Sequence, residues 1–140
     1  MILDGKEQIC KYIPQRDPIV MVDRLYEFSE EASKTGKTVN ADNIFVRDGL
    51  LEDGAILEHI AQSGALHIGY DCVLNGRPVA IGLIGSINKM QIMRRPAVGE
   101  EMQTQITIEA KVGAVTLIGA VTRVGDEVIA QGKMKVALEE

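Results

Sequence analysis

The chain has 140 residues, of which 46% are hydrophobic and 25% charged, with a formal net charge of -5. This composition predicts one folded domain over residues 1–140, since a disordered chain would be less apolar and more highly charged. The acidic balance argues against nucleic-acid binding, because no basic surplus is available to neutralise phosphates. No apolar run approaches the roughly 20 residues that span a bilayer.

Two observations favour a cytoplasmic setting. Asp4 and Glu7 occur early and no apolar signal core accompanies them, so we expect no secretory peptide. Cys10 and Cys72 are the two cysteines, too few for a disulfide framework or a CxxC metal site, so reduced thiols are expected.

The first forty residues predict one short helix and two strands. The helix is expected over residues 5–12. Residues 19–28 are rich in β-forming side chains and predict a strand. A turn is expected over residues 30–34, and residues 35–40 predict a second, shorter strand.

Residues 55–70 predict the one strong helix of the chain. On a period of 3.6 residues its apolar face consists largely of small side chains, which allow a close approach to the surface beneath. The expected face is Leu57, Ala61, Gly64, Ala65 and Ile68. Glu52 and Asp53 precede the helix and suit its positive end, and Gly69 together with the loop over residues 74–78 is expected to end it.

The second half of the chain predicts long strands joined by short turns. The first should run over residues 79–94 with a break near Gly85, and alternation then predicts strands over 102–110, 115–124 and 128–138. Strands, one central helix and a meander of further strands indicate an α+β fold, in which the helix covers one face of an antiparallel sheet.

Glu58 is the main candidate for chemistry. It lies one turn into the helix at the edge of the expected apolar face, with Gln62 at helical spacing. Partial desolvation of a carboxylate at such a border makes it a candidate general acid or base. The alternative is a boundary glutamate whose carboxylate reaches water.

The two histidines do not predict a metal site. His59 projects almost opposite the expected apolar face, which predicts a solvent-facing side chain, and His67 lies near the other flank. Their spacing differs from that of an HExxH site. No serine lies in a GxSxG pattern, so we expect neither a metal nor another cofactor.

Arg94 and Arg95 form a local basic patch in an acidic protein. They are either an exposed strand end or a docking point for a phosphate or an acidic partner.

Four segments occur in an order and spacing that one protein family shares. They are IPQRDP at residues 13–18 followed by VDR at 22–24, ILE at 56–58 followed by AQ at 61–62, IMRRPAVGEEM at 92–102, and the final hairpin. Together they resemble the hotdog-fold 3-hydroxyacyl-[acyl carrier protein] dehydratases of type II fatty-acid synthesis. The resemblance implies a long, curved antiparallel sheet wrapped around one helix.

The resemblance also implies a dimer with acyl tunnels at the subunit interface. Glu58 matches the family's helix glutamate, which works with a histidine of the opposite subunit. Free N–H groups near Gly54 and Ala55 would polarise the thioester carbonyl, with Gln62, Asn43 and Arg47 as further substrate-binding residues. Arg94 and Arg95 would dock an acidic carrier, either acyl carrier protein or coenzyme A.

This sequence departs from the family where the catalytic histidine is expected. The family's GHFPG motif corresponds to Asn43–Gly49, which is shorter and has no histidine, and Gln15 replaces another histidine of the first motif. Three functions stay open: a dehydratase using Glu58, a thioesterase in which Glu58 activates water, and a non-catalytic acyl-binding subunit.

Overall fold

The structure, a computed structural model, describes residues 1–79 and 81–139. A helix of 22 residues, α2 (Asp53–Leu74), packs against a seven-stranded sheet, and a single-turn helix, α1 (Lys6–Ile9), lies near the N-terminus. The sheet strands are β1 (Leu3–Asp4), β2 (Arg24–Phe28), β3 (Ala32–Thr38), β6 (Ile81–Ile92), β7 (Glu101–Val112), β8 (Val115–Val124) and β9 (Glu127–Glu139). β4 (Val46–Arg47) and β5 (Leu50–Leu51) form a separate small hairpin.

The sheet is antiparallel throughout, with the strand order β1-β2-β3-β7-β8-β9-β6. One edge is the two-residue strand β1, whereas the other is β6, which is 12 residues long. Within the described ranges β6 pairs with β9 alone, so its outer edge is open. The α+β fold predicted from the sequence is confirmed.

Turns predicted in the second half are confirmed, while several boundaries in the first half are wrong. β7 and β8 are joined at residues 113–114, and the predicted break in β6 appears as a register shift between Ile84 and Ser86. Residue 80 of the predicted strand 79–94 lies outside the described residues. β2 begins at Arg24 rather than residue 19, because the backbone of Ile19 and Met21 bonds to α2 instead of to a strand. β3 begins at Ala32, inside the turn predicted over residues 30–34, and ends at Thr38 rather than at residue 40. The first helix is one turn and does not fill residues 5–12.

The predicted apolar face of α2 is partly wrong. Gly64 and Ile68 are buried as expected, but Leu57, Ala61 and Ala65 are half-buried. The core side of the helix instead includes polar residues at one-turn spacing, each bonded to a hydroxyl of the sheet. These pairs are His59 with Thr104 (2.8 Å), Ser63 with Thr35 (2.8 Å) and His67 with Ser33 (3.0 Å). Buried polar groups are tolerated when they are hydrogen-bonded. A prediction from the spacing of apolar residues alone therefore assigned the wrong side of α2 to the core.

The helix ends at Leu74, where the predicted loop over residues 74–78 begins, but Gly69 lies inside α2 and does not end it. The helix continues to Leu74, and Gly76, with φ of 69°, follows in the left-handed conformation that favours glycine. A Cβ at Gly69 would overlap the carbonyl oxygen of Tyr12. The glycine therefore allows the N-terminal segment to cross the helix in backbone contact.

We expect Gly69→Ala to destabilise the protein by about 2 to 3 kcal/mol, because the overlapping atom belongs to backbone that cannot rotate away. Urea unfolding followed by circular dichroism measures this change. Gly54→Ala is the matched control, since a Cβ at Gly54 has no neighbour within 4 Å and alanine favours the helix. Equal stability of the two variants would contradict the close approach.

Candidate functional site

Glu58 lies half-buried in the second turn of α2 and is held by another side chain of the same helix. Gln62 Nε2 donates a hydrogen bond of 2.7 Å to Glu58 Oε2. The two residues are four apart, so they stack on one face of the helix. One carboxylate oxygen is thereby fixed, while Oε1 accepts no hydrogen bond from the residues that the structure describes.

Gln62 is fully buried and uses its whole amide. Its Oε1 accepts the backbone N–H of Met21 at 2.7 Å, and its Nε2 donates to the carbonyl of Ile19 at 2.8 Å as well as to Glu58. Two donors and one acceptor are thus assigned. The segment Ile19–Met21 is tied to α2 directly beside the candidate carboxylate.

His59 is 0% exposed, so the solvent-facing position predicted from the sequence is wrong. Its Nδ1 donates to the carbonyl of Met21 at 2.6 Å, because a carbonyl can only accept. Its Nε2 lies 2.8 Å from Thr104 Oγ1, and that hydroxyl lies 2.6 Å from Thr122 Oγ1. The burial error arose because the sheet supplies polar partners that helical periodicity does not reveal.

Burial lowers the pKa of His59 to about 4, so the imidazole is neutral near pH 7. In the neutral ring Nε2 accepts a hydrogen bond from Thr104, which in turn accepts one from Thr122. Burial also lowers the pKa of His67, whose Nε2 donates to the carbonyl of Glu30 at 3.2 Å. Both imidazoles are therefore part of the core and lie away from the chain's surface.

The stretch that corresponds to the family's histidine motif folds as the β4–β5 hairpin. Asp48 and Gly49 have φ of 54° and 78°, as a two-residue type I′ turn requires. Asn43, before the hairpin, accepts the N–H of Phe45 at 2.9 Å and places its Nδ2 3.6 Å from Met21 Sδ. Asn43 therefore lies near the segment that contacts Gln62.

Arg47 reaches solvent from this hairpin and points toward the start of α2. Its side chain is 78% exposed and its Nε lies 2.9 Å from Glu52 Oε1. Gly54 is exposed in the first turn of the helix, whereas Ala55 is buried and its N–H donates to the carbonyl of Glu52 at 3.1 Å. The free N–H predicted at Ala55 is thus wrong, and Gly54 is the better placed of the two.

Arg94 and Arg95 are each paired with carboxylates. Arg94 contacts Glu100 at 2.8 Å and Glu127 at 2.9 Å, while Arg95 contacts Asp53 at 2.9 Å. Three carboxylates thus surround two guanidinium groups, so the patch is not a free basic surface. Arg95, 49% exposed and bonded to one carboxylate, is the more accessible of the two.

A groove along the sheet is a further concave surface in the part of the chain that the structure describes. A groove of about 880 Å³ lies along the strands β6–β9 and includes Lys89, Arg123 and Lys133, but Glu58 is not among its lining residues. Residues 1–79 and 81–139 contain no group of three His, Cys, Asp or Glu suited to a metal ion. None of the described helices is long and apolar enough to cross a membrane.

Sequence reasoning found Glu58 and Gln62 but missed the contribution of residues 19–21. The i, i+4 spacing within α2 was the signal for the first pair. Nothing comparable marks Ile19 and Met21, which meet the helix from more than 35 positions away in the chain. Their polar groups in the site are backbone atoms, which every residue type carries.

Comparisons with known proteins place the chain among dehydratases. A model of the family described as ApeP-like, ApeP dehydratase, matches residues 7–139. The 3-hydroxyacyl-[acyl-carrier-protein] dehydratase FabZ of Natranaerobius thermophilus is 29% identical over 137 residues, covering 95% of this chain and 96% of that relative. FabZ of Clostridium botulinum strain Loch Maree is 29% identical over 133 residues, covering 91% and 90%.

Solved structures share the fold. The dehydratase heterocomplex ApeI:P from Xenorhabdus doucetiae superposes with a TM-score of 0.88 at 15% identity, covering 94% of this chain and 91% of that one. Smu.793 from Streptococcus mutans, bound to acetyl CoA, gives a TM-score of 0.72 at 8% identity, covering 91% and 96%. The hotdog architecture predicted from the sequence is confirmed.

Proposed function

Because the chain belongs to the ApeP-like dehydratase family, we propose that it dehydrates 3-hydroxyacyl thioesters and that Glu58 is its acid–base group. The dehydratase-like function in fatty-acid or related lipid biosynthesis predicted from the sequence is confirmed by the family match and the FabZ relatives. The observation that carries the proposed role of Glu58 is its fixed position: a half-buried carboxylate held by a fully bonded amide.

The reaction requires one group that accepts a proton and then returns it. Glu58 takes the proton from C2 of the acyl chain, the C2–C3 double bond forms, and the C3–O bond breaks. The same carboxyl protonates the departing hydroxyl, which leaves as water, so no other reactant is consumed. Gln62 holds Oε2 throughout, leaving Oε1 to face the substrate.

Substrate binding is proposed for residues around the start of α2. Gly54 is exposed in the first turn of α2, where the positive end of the helix favours the thioester carbonyl. Asn43 and Arg47 approach from the β4–β5 side, and Gln62 orients the carboxylate. Ala55 lies beside Gly54 in the first turn, but its N–H is already bonded to the carbonyl of Glu52 and is not proposed as a donor to the substrate. No cofactor takes part in this proposal.

A second hotdog subunit is proposed to complete the acyl channel. β6 has an open outer edge over 12 residues, which proteins normally cover by pairing or by charge. Beside Glu58, the half-buried Leu57 and Ala61 present an apolar surface that one chain leaves incomplete. Pairing of β6 with a second subunit, in a homodimer or with a related chain, would cover both features.

Because both histidines of this chain are buried, we propose that the catalytic partner is a related chain rather than a second copy of this one. His59 and His67 are the chain's two histidines, and both are committed to buried hydrogen bonds. A homodimer therefore has no histidine to offer the partner's Glu58. The dehydratase heterocomplex ApeI:P, which shares this fold, supports pairing with a related chain. We propose that this related chain carries a histidine that completes the site.

A cytoplasmic location is proposed from the thiols, since Cys10 and Cys72 are both free. An acidic carrier, either acyl carrier protein or coenzyme A, is proposed to dock beside Arg95, with Arg94 as the neighbouring charge. Arg95 lies close to the start of α2, because it is paired with Asp53 in the first turn of that helix.

For the docking proposal we expect Arg95→Glu to raise KM for a carrier-protein-bound substrate about fivefold, since an exposed ion pair contributes on the order of 1 kcal/mol. KM for a short pantetheine thioester should stay unchanged, because that substrate lacks the acidic carrier. Lys11→Glu, a charge reversal at an exposed lysine, serves as the control. Equal effects on both substrates would remove Arg95 from carrier recognition.

The function is tested by following 3-hydroxyacyl and enoyl thioesters with the purified chain, alone and mixed with a histidine-bearing hotdog dehydratase subunit. Interconversion of the two thioesters supports dehydration, and stimulation on mixing supports a shared site. Release of free thiol without enoyl product would instead identify a thioesterase. If the chain binds acyl thioesters but shows no turnover, alone or in the mixture, it is a non-catalytic acyl-binding subunit.

A further inference from the structure

Both backbone polar groups of Met21 are held by α2. Its N–H donates to Gln62 Oε1 at 2.7 Å, and its carbonyl accepts from His59 Nδ1 at 2.6 Å. The Met21 side chain is fully buried in the main core. Two side chains of α2 that lie one turn apart, His59 and Gln62, therefore hold the backbone of Met21 in place.

The orientation of the Gln62 amide depends on its hydrogen bond with the N–H of Met21. If the amide rotated by half a turn, its NH₂ group would face the N–H of Met21, and its oxygen would face Glu58 and the carbonyl of Ile19. Every contact would then be repulsive. As long as Met21 stays in place, Gln62 can present only an N–H to Glu58.

The sheet fixes the other end of this network. His59 Nε2 accepts from Thr104 on β7, which accepts from Thr122 on β8. The imidazole ring therefore cannot tilt away from Met21 without breaking a bond to a central strand. A continuous set of hydrogen bonds runs from β8 through His59 and Met21 to Gln62 and ends at the carboxylate of Glu58.

We propose that His59 is a positioning residue for the dehydration, which holds Met21 so that Gln62 keeps Glu58 in its working orientation. This inference rests on the proposed function, because it assigns His59 a part in catalysis through Glu58. His59 does not touch the substrate. Its effect is on the geometry of the proton-transferring oxygen, where small displacements are costly.

The test compares three variants. His59→Leu removes both hydrogen bonds, and His59→Asn restores an N–H near the position of Nδ1. His67→Leu is the matched control, since His67 is also a buried histidine of α2 that bonds a carbonyl and a hydroxyl, but its hydrogen bonds go to Glu30 and Ser33 rather than to residues 19–21. Comparable losses of stability are expected from His59→Leu and His67→Leu.

In turnover we expect His59→Leu to lower kcat about tenfold to a hundredfold with little change in KM. His59→Asn should recover most of the kcat, and His67→Leu should leave it within about twofold of the wild type. Equal kcat values for the two leucine variants would overturn the positioning role, because a general loss of stability would then explain both.

Amide hydrogen exchange supplies a readout that does not need activity. The Met21 N–H, which is protected by Gln62, should exchange faster in His59→Leu and stay protected in His67→Leu. Unchanged protection of Met21 in His59→Leu would contradict the network itself. If protection changes as expected but no variant turns over substrate, the hydrogen-bond network stands and the proposed dehydratase function fails.

Discussion

Replacing Glu58 by glutamine is expected to lower kcat for dehydration by about 10²- to 10⁴-fold, the usual contribution of a positioned acid–base group. An amide neither accepts the C2 proton nor returns it to the leaving hydroxyl. The new side chain still offers an oxygen to Gln62 Nε2, so the local hydrogen bond and the fold should survive. The loss is therefore expected in turnover rather than in stability.

The measurement is initial-rate enoyl formation with the complex that shows the highest wild-type activity. Asp71→Asn is the control, since it removes another carboxylate charge from α2 near the helix's far end, where Asp71 pairs with Arg77. That variant should keep its kcat. Wild-type rates in Glu58→Gln would exclude Glu58 as the acid–base group.

Lowering the pH from 7 to 4 is expected to remove about 3 kcal/mol of folding stability through His59 alone. Burial lowers the folded-state pKa of His59 from 6.5 to about 4, so between these values the unfolded chain binds more protons than the folded one. The contribution of His59 is complete above pH 6.5 and is lost as the pH falls toward 4. The charged groups near the ring are Asp23, Lys37 and Glu101, and all are smaller influences than burial.

Urea unfolding at a series of pH values tests this expectation. Between pH 6.5 and 4 the wild type should lose stability more steeply than His59→Asn, by up to about 1.4 kcal/mol per pH unit. His67→Asn should also flatten the profile, because the pKa of His67 is lowered in the same direction. Parallel profiles for the wild type and His59→Asn would mean that the buried ring is protonated without cost.

Local sequence patterns predicted where the helices and strands lie better than which of their sides are buried. Period-two alternation placed the strands of the meander, and the glycine turns at Gly113 and Gly125 separate them as expected. The helix was found but its buried side was misassigned. Helical periodicity counts apolar residues, whereas His59, Ser63 and His67 are buried because hydroxyls of the sheet satisfy them.

In the candidate site, contacts within the helix were predicted from the sequence, whereas contacts between distant segments were not. Glu58 and Gln62 were predicted together because contacts between residues four apart follow from helix geometry alone. The contacts of Gln62 and His59 with residues 19–21 depend on how distant segments meet after folding. They use backbone N–H and C=O groups, so no residue type in that segment signals them. The ion pairs of Arg94 and Arg95 were likewise hidden, since two of their three partners are distant in the chain.

The three polar pairs between α2 and the sheet have a consequence for how this protein tolerates change. A helix packed by hydrocarbon alone can rotate a few degrees about its axis at little cost, and its neighbours re-pack. Here such a rotation would strain His59, Ser63 and His67 at once, because hydrogen bonds weaken steeply with angle. Apolar substitutions elsewhere in the core should therefore change stability without turning Glu58 away from the surface it faces.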